Sequence, residues 1–250
     1  KISGKKQQIE KLPPLYTDQQ TGVDIQIQSR TQDRSLNFLF QMPNQHKLFP
    51  DKSVNYLSYM FSRTDQGSLF AKVRPLGVVS LGAFFLDSTP EYGNFLITCE
   101  LTTQGVVNQD QITKVVLDYV TYLKKFPAEE EVFLTLKGLG QRAFDASEKM
   151  QPTITASLLS VNMQQVSAEQ ALKLHYFTND TPYQPKSIQQ LLMMLQLENM
   201  RRIIITPDVI KDANIEPYYQ VPFSIRSFDQ GFIKAMNAKA DLAGFSPSAK

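Results

Sequence analysis

Histidine and cysteine, the residues that often bind metals or act as nucleophiles, are scarce in this chain of 250 residues. His46 and His175 lie far apart, and neither has a partner at the spacing of H-x-x-E-H or H-E-x-x-H. We interpret both as surface or partly buried hydrogen-bonding residues and expect no metal site built wholly from this chain. Cys99 lies within an apolar strand pattern, where a thiol is typically buried and unreactive.

Motifs for other kinds of catalysis are also missing from the sequence. Gly-x-Ser-x-Gly does not occur, and Gly138-Leu139-Gly140 lies in a helical pattern without the following residues of a phosphate-binding loop. The carboxylates at 129–131 and the pair Asp208 and Asp212 are typical of helix starts and solvated faces. A Ser-His-Asp triad stays open because its members can be distant in sequence. The residue types together favour a non-catalytic chain.

The composition is that of a folded globular protein, with 42% hydrophobic and 20% charged residues. The 26 basic and 24 acidic side chains are spread along the chain without a basic stripe, so we predict no nucleic-acid partner. No stretch approaches the roughly 18 apolar residues of a membrane-spanning helix, so we predict no membrane partner. The first residues contain neither an initiator methionine nor a targeting signal, and we expect a segment of a longer protein.

Residues 52–77 and the strand after them are the elements most suited to position functional groups. The first part is predicted to be an amphipathic helix, because its apolar residues recur at steps of three and four. These residues are Val54, Leu57, Met60 and Phe61. A polar break and a Gly67-Ser68 turn lead to a short helix, which Pro75 and Gly77 end. The β-branched and aromatic run 78–86 predicts a strand, so this unit is helix, helix, strand.

The remaining pattern predicts the fold class. Strands are predicted at 23–28, where apolar and polar residues alternate to give one wet face, and at 36–41, 94–101 and 201–206. Residues 218–223 are predicted to be at best an edge strand because Pro222 interrupts them. Long helical runs lie between pairs of these strands, and the chain shows no regular βαβ repeat. This pattern favours an α+β fold with an antiparallel or mixed β-sheet covered on one face by helices. Residues 1–22 are predicted to be a linker, and 23–250 a single domain.

Several short patterns occur in a fixed order along almost the whole chain. They are Tyr56-Leu57, Gly67-Ser68-Leu69, Leu76-Gly77-Val78-Val79, Cys99-Glu100-Leu101-Thr102, Gly105, Leu174-His175-Tyr176, the strand at 202–206 and Tyr218-Tyr219-Gln220-Val221-Pro222. Each pattern alone is weak, but their collinear order resembles the second domain of the pitrilysin and insulin-degrading class (insulinase family) of zinc metallopeptidases.

The resemblance implies a peptidase of four homologous α+β domains that enclose a chamber. The resemblance implies that the first domain holds zinc through an H-x-x-E-H motif and a distal glutamate. The glutamate within the motif then activates the water that attacks the peptide carbonyl. This chain corresponds to the second domain, which has the fold but neither the motif nor a cofactor of its own. Residues 1–22 become the linker from the preceding catalytic domain. The implied partners are the other domains of the same chain and a peptide substrate, and bacterial relatives suggest a periplasmic location.

The resemblance also implies a docking site for the N-terminal part of the substrate, away from the zinc. Carried over to this sequence, its residues lie in a turn and in the following strand: Gly67, Ser68, Gly82, Ala83, Phe84 and Phe85. An extended peptide adds to an edge strand through backbone hydrogen bonds, and Gly82 is expected to permit a close approach. Some family members have histidine and an additional glycine before the turn, whereas this chain has Ser-Arg-Thr-Asp-Gln at 62–66. The alternative is that this turn and strand only pack within the fold and do not bind the substrate.

Two functions of other kinds stay open from the sequence. One is an inactive member of the same fold that serves as a structural subunit, as core proteins of respiratory complexes do. The other is an unrelated α+β binding module. The sequence that precedes Lys1 in the parent gene distinguishes them, because an H-x-x-E-H motif with a downstream glutamate is expected only for the peptidase.

Overall fold

The computed structural model describes residues 12–44, 51–87, 89, 91–126, 128–164 and 166–246. Within these ranges the strands are β1 (Val23–Gln28), β2 (Ser35–Pro43), β3 (Val78–Asp87), β4 (Tyr92–Leu101), β5 (Met200–Thr206), β6 (Asn214–Ile215) and β7 (Pro222–Ser227). The α-helices are α1 (Ser53–Ser62), α2 (Leu69–Val73), α3 (Thr103–Val107), α4 (Gln109–Lys125), α5 (Glu130–Asp145), α6 (Pro152–Asn162), α7 (Ala168–Ala171), α8 (Pro185–Met194) and α9 (Gln230–Met236). None of the helices described is long and apolar enough to cross a lipid bilayer.

The described strands form one mixed sheet in the order β3-β4-β2-β5-β1-β7-β6. β1 and β5 are parallel, whereas the other neighbouring pairs are antiparallel. This arrangement confirms the predicted α+β class with a mixed sheet. It also places β3 at one edge of the sheet and β6 at the other.

Helices cover one face of the β3-β4-β2 half of the sheet. The register aligns Ala83, Ile97 and Phe38 in one row, and all three side chains are buried in a core shared with α1, α4 and α8. The neighbouring row points to the opposite face, where Phe84 is 43% exposed. We call this second side of the sheet the open face.

The C-terminal end of α1 is fixed against β4 and α4 by aromatic contacts. The ring of Phe61 packs edge-on against Phe95 at 5.7 Å and against Tyr119 at 5.4 Å between centroids. The hydroxyl of Tyr119 donates to the carbonyl oxygen of Met60 across 2.9 Å. Burying such a phenylalanine contributes about 1.5–3 kcal/mol. This packing sets the position of Ser62, the last residue of α1.

An ion cluster around the buried Arg202 occupies the helix side of the sheet where β1 and β5 pair. The guanidinium of Arg202 donates two hydrogen bonds to the carboxylate of Asp24, at 2.8 and 3.1 Å, and also binds Asp110 at the start of α4. The Phe232 ring of α9 lies 4.4 Å from the same guanidinium. Val23 and Ile25 are buried, as the alternation of the strand predicts. Asp24 on the other face is paired with a buried arginine, whereas this face was predicted to contact water.

Residues 12–22 lie against the open face of the sheet. The backbone N–H of Tyr16 donates to Oε1 of Gln41 across 2.8 Å, and the guanidinium of Arg201 lies 4.0 Å from the centre of the Tyr16 ring. These contacts attach the described part of the predicted linker to β2 and β5.

The strand predicted near residues 218–223 lies further along the chain. β7 begins at Pro222 and lies between β1 and β6, so the prediction of an edge strand at this place was wrong. Proline is tolerated as the first residue of a strand. The two-residue strand β6, in which Ile215 pairs with Pro222, supplies the edge instead.

Candidate functional site

The described residues do not provide a metal site. They contain no group of three or more histidine, cysteine, aspartate or glutamate side chains placed to hold a metal ion, so they do not fit a zinc ligand set. His46 lies outside the described residues. His175 has its Nε2 atom 3.3 Å from Oδ1 of Asn162, and partial burial together with the charge of Lys52 lowers its pKa.

The thiol of Cys99 is not a nucleophile in this fold. Its side chain is fully buried in β4, and burial raises the pKa of the thiol to about 12. Because the thiolate is the reactive form, the folded chain keeps this cysteine inert near neutral pH.

The Gly67-Ser68 turn is covered by the chain itself. The carbonyl oxygen of Gly67 accepts a hydrogen bond from the N–H of Ser246 across 3.0 Å, and Gly67 has φ of 88°. A Cβ atom at this position would lie 2.7 Å from Cβ of Ser246. Ser68 is fully buried and accepts a hydrogen bond from the N–H of Ala71 as the N-cap of α2. The structure therefore gives both residues packing and capping contacts.

The other predicted docking residues lie in β3, at the edge of the sheet. The N–H of Ala83 donates to the hydroxyl oxygen of Ser62 across 2.9 Å, so it points away from β4. In an antiparallel pair, the residues that face the partner strand and those that face away alternate. The backbone groups of Leu81, Ala83 and Phe85 therefore point to the outer edge. Docking is a prediction for this strand, and the name docking edge is used for these three residues only as a label.

Gly82 and Phe84 occupy the alternate positions of β3. Their backbone groups face β4, where Gly82 pairs with Thr98 and Phe84 pairs with Leu96. Gly82 leaves room on the open face, because a Cβ atom there would meet only Cγ2 of Thr98, at 3.8 Å. Phe84 places a half-exposed ring on the same face and adds apolar surface next to the docking edge.

Two residues of this site were missed from the sequence. Leu81 follows from the two-residue alternation of the strand once the orientation of Ala83 is known. Ser62 carries no signal of its own, because its role depends on where α1 ends relative to β3 in the fold. The predicted residues thus divide into a buried turn, Gly67 and Ser68, and a strand at the sheet edge.

Two family profiles match this sequence. The profile described as the peptidase M16 inactive domain matches residues 1–138, and that described as the middle or third domain of peptidase M16 matches residues 144–247. The chain belongs to the peptidase M16 family. The recognised resemblance to pitrilysin and insulin-degrading enzyme is confirmed. The seven-stranded sheet of this M16 chain takes β1–β4 from the first matched range and β5–β7 from the second.

Similar proteins include well-known members of the family. Insulin-degrading enzyme of Drosophila melanogaster is 26% identical over 212 residues, which are 84% of this chain and 21% of that protein. Protease 3 of Salmonella typhimurium is 23% identical over 243 residues, which are 91% of this chain and 24% of that protein. The M16 chain therefore spans about a quarter of the length of these relatives.

Solved structures share the fold. The crystal structure of pitrilysin matches with a TM-score of 0.85 at 20% identity, over 95% of this M16 chain and 25% of that chain. The periplasmic protease PqqL from Escherichia coli matches with a TM-score of 0.52 at 11% identity, over 74% of this chain and 21% of that chain.

Proposed function

We propose that this chain is a non-catalytic domain of a zinc metalloendopeptidase that degrades peptides. In this role it forms part of the chamber wall and docks the N-terminal part of the substrate. The match to the inactive M16 domain supports the non-catalytic part, and the similarity to insulin-degrading enzyme supports the peptidase part.

The observation that carries the docking role is the outer edge of β3. Among the described strands β3 pairs with β4 alone, and the N–H and C=O groups of Leu81, Ala83 and Phe85 point away from that partner. An extended peptide can add to such an edge as a further strand, largely without regard to its sequence. The turn at Gly67 and Ser68 contributes indirectly, because it lies between α1 and the strand that carries the docking edge.

The remaining features of the proposal concern the whole enzyme. Zinc would be held in the first domain of the peptidase, as the family resemblance implies, and the match of this chain to the inactive M16 domain supports that assignment. Residues 1–22 link that domain to a single domain at 23–250, and the other domains of the same chain are partners. We place the enzyme in the bacterial periplasm, as PqqL is described as a periplasmic protease.

The gene sequence that precedes Lys1 tests whether the parent protein is a zinc peptidase. We expect an upstream H-x-x-E-H motif followed by a distal glutamate, the ligand set of an inverted-motif zinc peptidase. A parent protein without this motif contradicts the peptidase function and supports an inactive structural subunit instead.

A further inference from the structure

We propose that the hydroxyl group of Ser62 is a built-in competitor for the docking edge: it occupies the outward N–H of Ala83 until a peptide strand replaces it. This inference rests on the proposed docking function of β3. It assigns to Ser62 control over how tightly an extended peptide binds.

The position of this hydrogen bond within the docking edge is the first argument. Ala83 is the middle residue of the three whose backbone groups face outward, and its N–H already donates to Ser62 Oγ across 2.9 Å. Leu81 and Phe85 are four residues apart, or about 14 Å at 3.4 Å per residue. A peptide that pairs with both must also pass Ala83, where its carbonyl oxygen needs the N–H that Ser62 holds.

The rigidity around Ser62 is the second argument. On its N-terminal side, the carbonyl oxygen of Met60 accepts from Tyr119 and the ring of Phe61 is fully buried. On its C-terminal side, the guanidinium of Arg63 donates to the carbonyl oxygen of Ser246 across 2.9 Å. The backbone of Ser62 is thus held at both sides, so the part of this residue that can leave the Ala83 N–H is its hydroxyl, which can rotate about the Cα–Cβ bond between staggered positions.

The exchange replaces one hydrogen bond by another. The Ala83 N–H leaves the Ser62 oxygen and donates to a peptide carbonyl oxygen, while the Ser62 hydroxyl returns to water. The same bond shields the middle of an edge strand in the free protein, where an unpaired N–H invites association with other chains. Removing the hydroxyl therefore leaves the N–H free for the peptide and strengthens docking by about three- to tenfold, the worth of one such bond.

The matched variants Ser62→Thr and Ser62→Val test the inference, because both side chains have the same shape and only threonine keeps the hydroxyl. The probe is a fluorescein-labelled peptide of alternating valine and threonine with lysine at both ends, titrated into the 250-residue chain by fluorescence anisotropy. We expect Ser62→Val to bind it about three- to tenfold more tightly than Ser62→Thr. Without peptide, the Ala83 amide should exchange its hydrogen faster in Ser62→Val than in Ser62→Thr.

A third variant, Ala83→Pro, separates this inference from the docking function itself. Proline removes the outward N–H together with its hydrogen bond to Ser62, and its ring takes the place of that hydrogen and blocks strand addition. Edge strands tolerate proline at positions whose N–H faces away from the partner strand. In one outcome Ala83→Pro abolishes binding, while Ser62→Val and Ser62→Thr bind the peptide equally. This result would support docking at β3 and overturn the role of Ser62. If Ala83→Pro folds and binds the peptide like the wild type, docking at β3 and the role of Ser62 both fail.

Discussion

The guanidinium of Arg63 donates a hydrogen bond to the carbonyl oxygen of Ser246, 2.9 Å away and 183 residues later in the chain. The same guanidinium pairs with the carboxylate of Asp65 through two hydrogen bonds. The N–H of Ser246 in turn donates to the carbonyl oxygen of Gly67. A segment near the C-terminal end therefore fixes the turn that connects α1 to α2, directly before the docking edge.

Replacing Arg63 by methionine tests this connection. Arg63→Met keeps the aliphatic stem but removes the charged hydrogen bonds, and we expect the free energy of unfolding to fall by about 1.5–3 kcal/mol in urea titrations. The control is Arg142→Met, which changes an exposed arginine and should stay within about 0.5 kcal/mol of the wild type. Equal stability of the two variants would show that the Arg63 contacts contribute nothing.

The same variant has a defined pH dependence. The hydrogen bond from Arg63 lowers the pKa of Asp65 below its ordinary value of 3.8. A lowered carboxyl pKa stabilises the folded state above the unfolded pKa, and this contribution is lost as the pH falls through the folded value. The stability difference between wild type and Arg63→Met should therefore narrow below pH 3.8.

Two glycines of α5 should respond oppositely to alanine. A Cβ atom at Gly138 would meet nothing within 4 Å, so Gly138→Ala should stabilise the chain by about 0.5–1 kcal/mol through helix propensity. At Gly140 it would lie 2.2 Å from the carbonyl oxygen of Phe177, so Gly140→Ala should destabilise by about 1–3 kcal/mol. Urea unfolding measures both changes, and an unchanged or increased stability of Gly140→Ala would disprove the close approach of Phe177.

Cys99 should resist thiol reagents while the chain is folded. At about pH 8 we expect no labelling by iodoacetamide under native conditions and one labelled thiol per chain after unfolding, because burial raises the thiol pKa to about 12. Since the folded pKa exceeds the unfolded one, this thiol stabilises the fold fully below about pH 9, and the contribution falls as the pH rises further. Ser160→Cys, at an exposed position, is the positive control. Rapid native labelling at Cys99 would contradict the buried position.

The 250-residue chain alone is expected to be inactive. The purified chain should neither bind zinc stoichiometrically by elemental analysis nor cleave peptides, because its described residues offer no ligand set. The complete peptidase is the control for both assays. Cleavage by the pure chain that stops on chelation and returns with zinc would refute its non-catalytic role.

The sequence predicts those elements whose own residues carry the signal. The apolar spacing of α1 and α4 and the β-branched run of β3 mark these elements without knowledge of the fold. The edge position of β3 was implied by the family resemblance alone; the residues of β3 do not show it, because it depends on β2 pairing with β4 and β5. The ion pair of Asp24 could not be predicted either, since its partner Arg202 lies 178 residues later in the chain.

In the candidate site too, some features can be predicted from the sequence and others depend on contacts between distant parts of the chain. The resemblance identifies the strand that carries Ala83 and Phe85, but the burial of Gly67 depends on a contact with Ser246 from the far end of the chain. Ser62 is an ordinary helix residue in sequence. It becomes part of the site only because the packing of Phe61 places its hydroxyl beside Ala83.

Residue-resolved hydrogen exchange on β3, with and without the valine-threonine peptide, tests the docking function most directly. If the peptide adds to the docking edge, the outward amides of Leu81 and Phe85 should exchange more slowly, whereas Gly82 and Phe84, which already face β4, should not change. Equal protection along the whole strand, or protection only at the opposite edge in β6, would contradict docking at β3.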